Sequence, residues 1–572
     1  MGTEFNGKGS NVQLGPGVCL ARIPRNGRNF EYLSGEDPFL GYTLAQPAIR
    51  GIQSQGVIAN AKHFVNNNEE TMRSSISENV DERTELEMYL PPFEGAIKAG
   101  LLSIMCSYNK INGVYSCENE ETLNEDLRTR LGFKGFVMSD WGATHSTLDS
   151  AKATLDQEMP GGQFFNQTLK EAIANGTLPE SNVDDKVLRI LTAMYAIGTF
   201  DSPPKGDVSV NVTSEANNKL ARYLAGRALV VAKNDKVLPL QRKTNIAVIG
   251  SSAQDAPIVH GQGSGQVAGS YVITGLQGLK NAVDTEAKIT YTPTDDVAQA
   301  VQAAESADVA IVYVGTVSGE GHDRVNLSLP YQEDALVSAV AKAQKNTIVV
   351  VATPGAVLMP WSDDVAAIVV AWMAGQEFGN AVADVLFGAV SPAGRLPLTM
   401  PMEENDMEMT DVQYPGLPVN QPVYANYTEK LNVGYRWYHT NKKEPRFCFG
   451  HGLTFSNFVY SSLKVTPASA GSDNVATATF VLENDSDSEA EEVPQLYLTF
   501  PDSAREPPAQ LKGFTRISLA PHEKKQVTFS LEARDVSTWS TSTHSWQQTH
   551  GQFDIDVGAS SCDLRLHAST EL

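Results

Sequence analysis

The sequence predicts a multidomain α/β protein: a (β/α)8-type barrel, a second α/β domain and a C-terminal β-sandwich. Three observations carry this expectation. A chain of 572 residues exceeds what one hydrophobic core serves, so two or three domains are expected. Short apolar runs alternate with helix-like stretches through the first 200 residues and again from 241 to 400. From about residue 456 the apolar period drops to two, the period of half-buried strands.

Within 1–200 the runs NVQLGPGV, GVIANAKHF, LLSIMCSYN and GFVMSDWGA are each followed by an amphipathic stretch such as ETLNEDLRTRLG. That is the rhythm of βα units around a parallel sheet, and about five or six units are expected. Several strands end in polar residues, Lys62-His63, Tyr108-Asn109 and Asp140-Trp141, where barrel enzymes place their chemistry. The first strand arrives almost at residue 1, so the barrel is expected to lack its N-terminal part. The Pro- and Gly-containing FDSPPKGDV opens a linker assigned to 201–240. The second series, TNIAVIGSS, ADVAIVYVGT, NTIVVVATP and VAAIVVAWM, spans 241–400 and is rich in Val and Ile on both faces, as strands inside a parallel sheet must be. Residues 401–455, rich in Pro, Tyr and Asn, form an expected connecting segment, and 456–572 alternate strictly enough for a small sandwich.

Composition narrows the function classes. Apolar residues at 41% and charged ones at 19% are those of a globular protein, and a formal charge of −23 repels phosphate backbones, so no nucleic-acid partner is expected. No run of about eighteen apolar residues occurs, so no membrane span is expected, and the opening MGTEFNGKGSNVQLG lacks the apolar stretch of a signal peptide. Five cysteines cannot all pair within one chain. Six Asn-X-Ser/Thr sequons, at Asn166, Asn175, Asn211, Asn326, Asn426 and Asn484, are about what chance yields. No His/Cys grouping has metal-ligand spacing, HGQGSGQV at 260–267 lacks the Lys-Ser/Thr of a P-loop, and no nucleophile elbow occurs. No cofactor or metal is expected, and carboxylate chemistry remains.

Cleaving a glycosidic bond with retention needs two carboxyl groups, one ionised to attack and one protonated to release the leaving oxygen. Asp140 closes the apolar run GFVMSD beside Trp141, an aromatic able to bound a sugar ring, although an Asp there equally suits a helix N-cap. Lys62 and His63 close another strand, with Arg73 further along KHFVNNNEETMR. Such cations can hydrogen-bond vicinal hydroxyls or hold a carboxylate ionised, and the rival reading is an internal ion pair. Arg28, in PRNGRNFEYLSGEDP, invites the same two readings. Glu320, in VGTVSGEGHDR, lies between two glycines just after a buried strand, which suits a loop over a site or an ordinary solvated loop.

In their order and spacing, NVQLGPGV with GRNFEYLSGEDP, KHFVNNNEETMR, SIMCSYNKINGVYSCEN, GFVMSDWGATHS, SGEGHDR, and PAGRLPLTMP with FGHGLTF resemble the family 3 glycoside hydrolases, in particular fungal-type β-glucosidases, over essentially the whole chain. The resemblance implies a barrel, an α/β sandwich that lends one catalytic carboxyl, and a fibronectin type III-like domain. It implies Asp140 as nucleophile and Glu320 as acid/base, with Arg28, Lys62, His63, Arg73 and Tyr108 around the sugar and Trp141 as its platform. It also implies a Cys106–Cys117 disulfide, export from the cell, and a small β-glucoside or oligosaccharide as substrate. The hexosaminidase branch is disfavoured, because VNNNEE stands where that branch has a His-containing loop. A xyloside substrate is the second reading. Members of the family carry a further N-terminal stretch with an Asp that grips the sugar; no counterpart occurs here, which leaves open an inactive carbohydrate-binding relative.

Overall fold

The computed structural model describes residues 1–293, 296–415, 423–468 and 474–572. The chain divides into two compact units. One comprises Met1–Thr213 with Gly321–Asp323 and Glu408–Leu431, and the other Ser214–Glu320, Arg324–Met407 and Asn432–Leu572.

In the first unit, β1 (Val12–Gln13), β2 (Ile58–Phe64), β3 (Ser103–Cys106) and β4 (Phe136–Ser139) form one parallel sheet in that order. Each comes from one of the four apolar runs. Every residue of β2, β3 and β4 is buried, as parallel strands covered on both faces require. Four strands pair here, against the five or six units suggested by alternation. The short segments Ser77–Asn79, Lys110–Ile111, Val114–Tyr115 and Tyr424–Asn426 form a separate small sheet. Helix α1 (Pro38–Gln53) follows β1; Asp37 caps it by accepting from the Leu40 N–H at 2.8 Å, and Pro38 occupies its first turn. Helix α2 (Pro91–Lys98) packs on α1 through Gly95, where a Cβ would stand 2.2 Å from the Tyr42 carbonyl oxygen. At the strand ends Phe64, Cys106 and Ser139 lie abreast, and the β2–β3 register shifts between Ala61 and Phe64. Such an irregularity re-aims side chains, and Lys62 and His63 sit within it.

In the second unit, the strands are β5 (Val230–Asn234), β6 (Ile246–Ile249), β7 (Ile289–Thr292), β8 (Val309–Gly315), β9 (Thr347–Ala352) and β10 (Ala367–Val370). They form a sheet in the order β7-β6-β8-β9-β10-β5, parallel except for β5. Along β8, Ala310, Val312 and Val314 enter one apolar core, while Val309, Ile311 and Tyr313 enter another. This explains the Val/Ile-rich runs: both faces are covered. The linker assigned to 201–240 is corrected, because Ser214 caps a helix, α3 (Glu215–Ala228), and β5 joins the sheet edge. Leu220, Tyr223 and Leu224 of α3 are exposed, so no clean apolar stripe marked the helix in sequence. The expected connecting segment 401–455 is shared out: Glu408–Leu431 belongs to the barrel unit, and the helix Tyr435–Asn441 to the second, while 416–422 lie outside the described residues.

The sandwich pairs Phe458–Pro467, Asn474–Asn484 and Lys524–Glu532 in one sheet, and Gln495–Thr499, Gln510–Phe514, Gln552–Ser560 and Asp563–Glu571 in another. Phe480, Leu482, Leu496, Phe529 and Ile555 share its core. The sequon residue Asn484 is buried and donates to the carbonyls of Ser488, Leu519 and Ala520, so it presents no amide to solvent. Asn175, Asn211 and Asn326 are exposed. Cys106 bonds Cys117, Cys448 bonds Cys562, and Cys19 is a buried free thiol. The second bridge gives Cys448 a role that its local sequence did not suggest, tying the strand-poor segment before the sandwich to the sandwich's last hairpin. In the chain-entropy picture, the 114-residue closure contributes on the order of 5 kcal/mol and the 11-residue closure about 3 kcal/mol. The Cys448→Ser/Cys562→Ser pair should therefore lower the denaturation midpoint more than Cys106→Ser/Cys117→Ser, read by urea unfolding; the reverse order would mean that local packing dominates both bridges.

Candidate active site

Asp140 follows β4 directly, and its N–H donates to the Cys106 carbonyl at 3.1 Å, extending the ladder by one residue. Its side chain caps no helix, because the next helix is Leu148–Lys152. Instead Oδ1 accepts from the Trp141 N–H at 2.7 Å, and Oδ2 lies 3.5 Å from His63 Nε2. Burial raises the Asp140 pKa above the ordinary carboxylate value, opposed by the Trp141 N–H, the Tyr108 hydroxyl, and the charges of Arg28 and Lys62. Trp141 itself is 43% exposed, an open indole beside a buried carboxylate.

The register shift in β2 sets His63 against Asp140. His63 Nδ1 is 3.2 Å from the Tyr32 hydroxyl, and its pKa lies well below the usual value because of burial and then the charges of Arg28, Lys62 and Arg73. Both causes favour the neutral ring, and the tautomer with hydrogen on Nε2 suits the carboxylate it faces. Cys19 holds the same residue from behind: the His63 N–H donates to Sγ at 3.3 Å, and burial pushes the thiol up to about 12, leaving it unreactive. Arg28 grips Glu31 with two bonds of 2.8 and 2.9 Å, and Lys62 Nζ lies 3.7 Å from the same carboxylate. Arg73 bonds Glu70 at 2.8 Å and lies 4.3 Å over the Tyr108 ring. The barrel unit thus brings Arg28, Lys62, His63, Tyr108 and Asp140 together, with Arg73 over the Tyr108 ring. Sequence reasoning missed Glu31 and Glu70. The signal was available, since each stands three residues from its arginine in a short turn.

Glu320, in the second unit, follows β8 in a loop that is held rather than free. The Ser264 N–H donates to Glu320 Oε2 at 2.8 Å, and the Glu320 N–H to the Gln262 carbonyl at 3.3 Å. A Cβ on Gly319 would stand 2.5 Å from Gln262 Cβ, and one on Gly263 would stand 2.4 Å from Glu320 Cβ. The glycines permit this close approach, so HGQGSGQV is the turn that holds Glu320. Among the described residues no group of three or more His, Cys, Asp or Glu is arranged to hold a metal ion, and no helix is long and apolar enough to cross a membrane.

A strand-end carboxylate, an imidazole and paired cations form a polar, buried cluster. Residues 1–193 match the glycosyl hydrolase family 3 N-terminal domain, 229–455 its C-terminal domain, and 492–561 a fibronectin type III-like domain. The chain belongs to glycosyl hydrolase family 3, with that family's barrel-type domain, α/β sandwich and fibronectin type III-like sandwich. Among its relatives, Probable beta-glucosidase L of Aspergillus terreus is 39% identical over 630 residues, spanning 100% of this chain and 84% of the relative. Beta-glucosidase cel3A of Pyricularia oryzae is 36% identical over 619 residues, spanning 99% and 84%. The solved structure of the β-glucosidase D2-BGL from Chaetomella raphigera matches with a TM-score of 0.92 at 38% identity, covering 100% of this chain and 86% of that one. DesR, a β-glucosidase from Streptomyces venezuelae solved with D-glucose, matches with a TM-score of 0.94 at 31% identity, covering 100% and 89%.

The barrel unit buries further carboxyls. Burial first, and neighbouring carboxylates after it, raise Glu78 and Glu85 to about 8 from 4.5, and Glu69 is raised as well. The folded chain keeps these protons where the unfolded chain has already lost them, so stability falls as pH rises toward 8. The buried histidines, held below 6.5, act oppositely but only at lower pH, because above 6.5 the unfolded chain has largely released those protons too. The thermal midpoint should drop by a few degrees between pH 6.5 and 8, and Glu78→Gln should flatten that drop; a midpoint that rises over this range would contradict the buried-acid account.

Proposed function

We propose that this chain is a retaining β-glucosidase in which Asp140 is the nucleophile and Glu320 the acid/base. The observation that carries the reading is the setting of Asp140: a strand-end carboxylate, buried, oriented by one backbone N–H at 2.7 Å, with its other oxygen 3.5 Å from the His63 imidazole. Oδ2 attacks the anomeric carbon while Glu320 protonates the leaving oxygen, giving a covalent glycosyl-enzyme. Glu320 then takes a proton from water, which cleaves the ester and restores both groups. Arg28, Lys62, His63, Arg73 and Tyr108 bind the sugar hydroxyls, and the exposed Trp141 is the ring platform. Pairing of the cations with Glu31 and Glu70 fixes their positions before substrate arrives, which lowers the ordering cost of binding.

The relatives named above are β-glucosidases, which favours a glucoside over a xyloside. The substrate class is a terminal, non-reducing β-D-glucosyl residue on an aglycone or oligosaccharide, cellulose fragments among them, and no cofactor takes part. Kinship with fungal β-glucosidases also supports a secreted glycoprotein, with Asn175, Asn211 and Asn326 as the sequons open to a glycan.

The test is release of p-nitrophenol from aryl β-glucoside, β-xyloside and N-acetyl-β-glucosaminide. Glucoside turnover should exceed the other two and should fall at least about a thousandfold in Asp140→Ala. Glu320→Ala should lose about a hundredfold or more, least with good leaving groups, and recover in added azide with formation of glucosyl azide. A well-folded chain with no turnover, or full activity in Asp140→Ala, would overturn the reading.

A further inference from the structure

We propose that Asp323 is a positioning residue for sugar binding: its carboxylate locks the loop that carries Arg28 to the loop that carries Arg73. The inference rests on the sugar-binding reading of those two arginines. Asp323 is 2% exposed and accepts five hydrogen bonds. Oδ1 takes the N–H of Gly27 at 3.1 Å and that of Glu70 at 2.9 Å. Oδ2 takes the Thr71 N–H at 3.0 Å, the Thr71 hydroxyl at 2.7 Å and the Tyr414 hydroxyl at 3.3 Å. Bonds to a carboxylate are stronger than those between neutral groups, and five of them offset the cost of burying it.

The partners are what make the node specific. Gly27 precedes Arg28, whose guanidinium is fixed on Glu31. Glu70 bears the ion pair to Arg73, and its Oε2 also accepts from the Gly321 N–H at 2.7 Å. A single oxygen of Asp323 therefore spans the backbones behind both guanidinium groups. Geometry at a sugar subsite tolerates little displacement, so slack in this node is expected to appear as lost affinity before lost chemistry. Asp156 offers a contrast within the same unit. It is equally buried and accepts from the Val137 N–H at 2.7 Å, Arg128 at 2.8 Å and Arg189 at 2.8 Å, yet none of these partners is a proposed sugar ligand.

The experiment compares Asp323→Asn, Thr71→Val and Asp156→Asn in the full chain. It reads KM and kcat on aryl β-glucoside, glucose affinity by calorimetry, and thermal midpoint. Asp323→Asn should weaken both KM and glucose affinity about tenfold or more, with kcat changed far less. Thr71→Val, which removes one of the five donors, should move both in the same direction by roughly two- to tenfold. Asp156→Asn should lower the midpoint at unchanged KM and glucose affinity. Unchanged affinity in Thr71→Val and in folded Asp323→Asn would overturn the proposal, as would an equal loss of affinity in Asp156→Asn at equal loss of midpoint. Should Asp323→Asn fail to fold, Thr71→Val decides. Calorimetry needs no turnover, so loss of the β-glucosidase reading and loss of the positioning role are separate results.

Discussion

Charge held out of water needs a partner, and at the strand ends of the barrel unit that constraint decides where each side chain can stand. Arg28 and Lys62 converge on Glu31, Arg73 on Glu70, and Asp323 on a ring of backbone and hydroxyl donors. His63 meets the same constraint differently: burial, and then the three cations beside it, favour its neutral form. Asp140 is left with one oxygen committed to Trp141 and the other facing that ring. A carboxylate so placed is oriented, and burial raises its pKa, the two properties that the proposed attack on an anomeric carbon would use.

Glu320 belongs to the other unit and is held by a different device, close backbone approach. Glycines at 263 and 319 allow the turn from 260 to 267 and the loop after β8 to touch, and the Ser264 N–H fixes the carboxyl. A six-stranded sheet buried on both faces carries this loop, so the proposed acid/base rests on a stiff base.

Much of this was legible in the sequence, and the reasons differ by element. The buried strands announced themselves as Val/Ile runs, and the sandwich as strict alternation, because a face buried in a sheet imposes its period directly. Asp140, Lys62 and His63 were visible as polar residues ending apolar runs. Helix α3 and strand β5 were not, since an exposed helix with leucines and tyrosine facing outward has no readable stripe. The Cys448–Cys562 bridge joins residues 114 apart, a distance over which no local pattern speaks. The partners Glu31, Glu70 and Asp323 were on view as letters, but their importance comes from three-dimensional pairing. Glycines beside Glu320 suggested freedom, whereas the close approach of Gly319 to Gln262 shows that this one permits constraint.

As the proposed nucleophile, Asp140 would form a bond to the anomeric carbon of a β-glucoside. A 2-deoxy-2-fluoro-β-D-glucosyl donor with a good leaving group slows release of the glycosyl-enzyme, so the covalent species accumulates for digestion and mass spectrometry. The fluorosugar is expected on the peptide GFVMSDWGA at Asp140, with no adduct in Asp140→Asn. An adduct on another carboxylate, or none on a chain that turns over the parent glucoside, would contradict it.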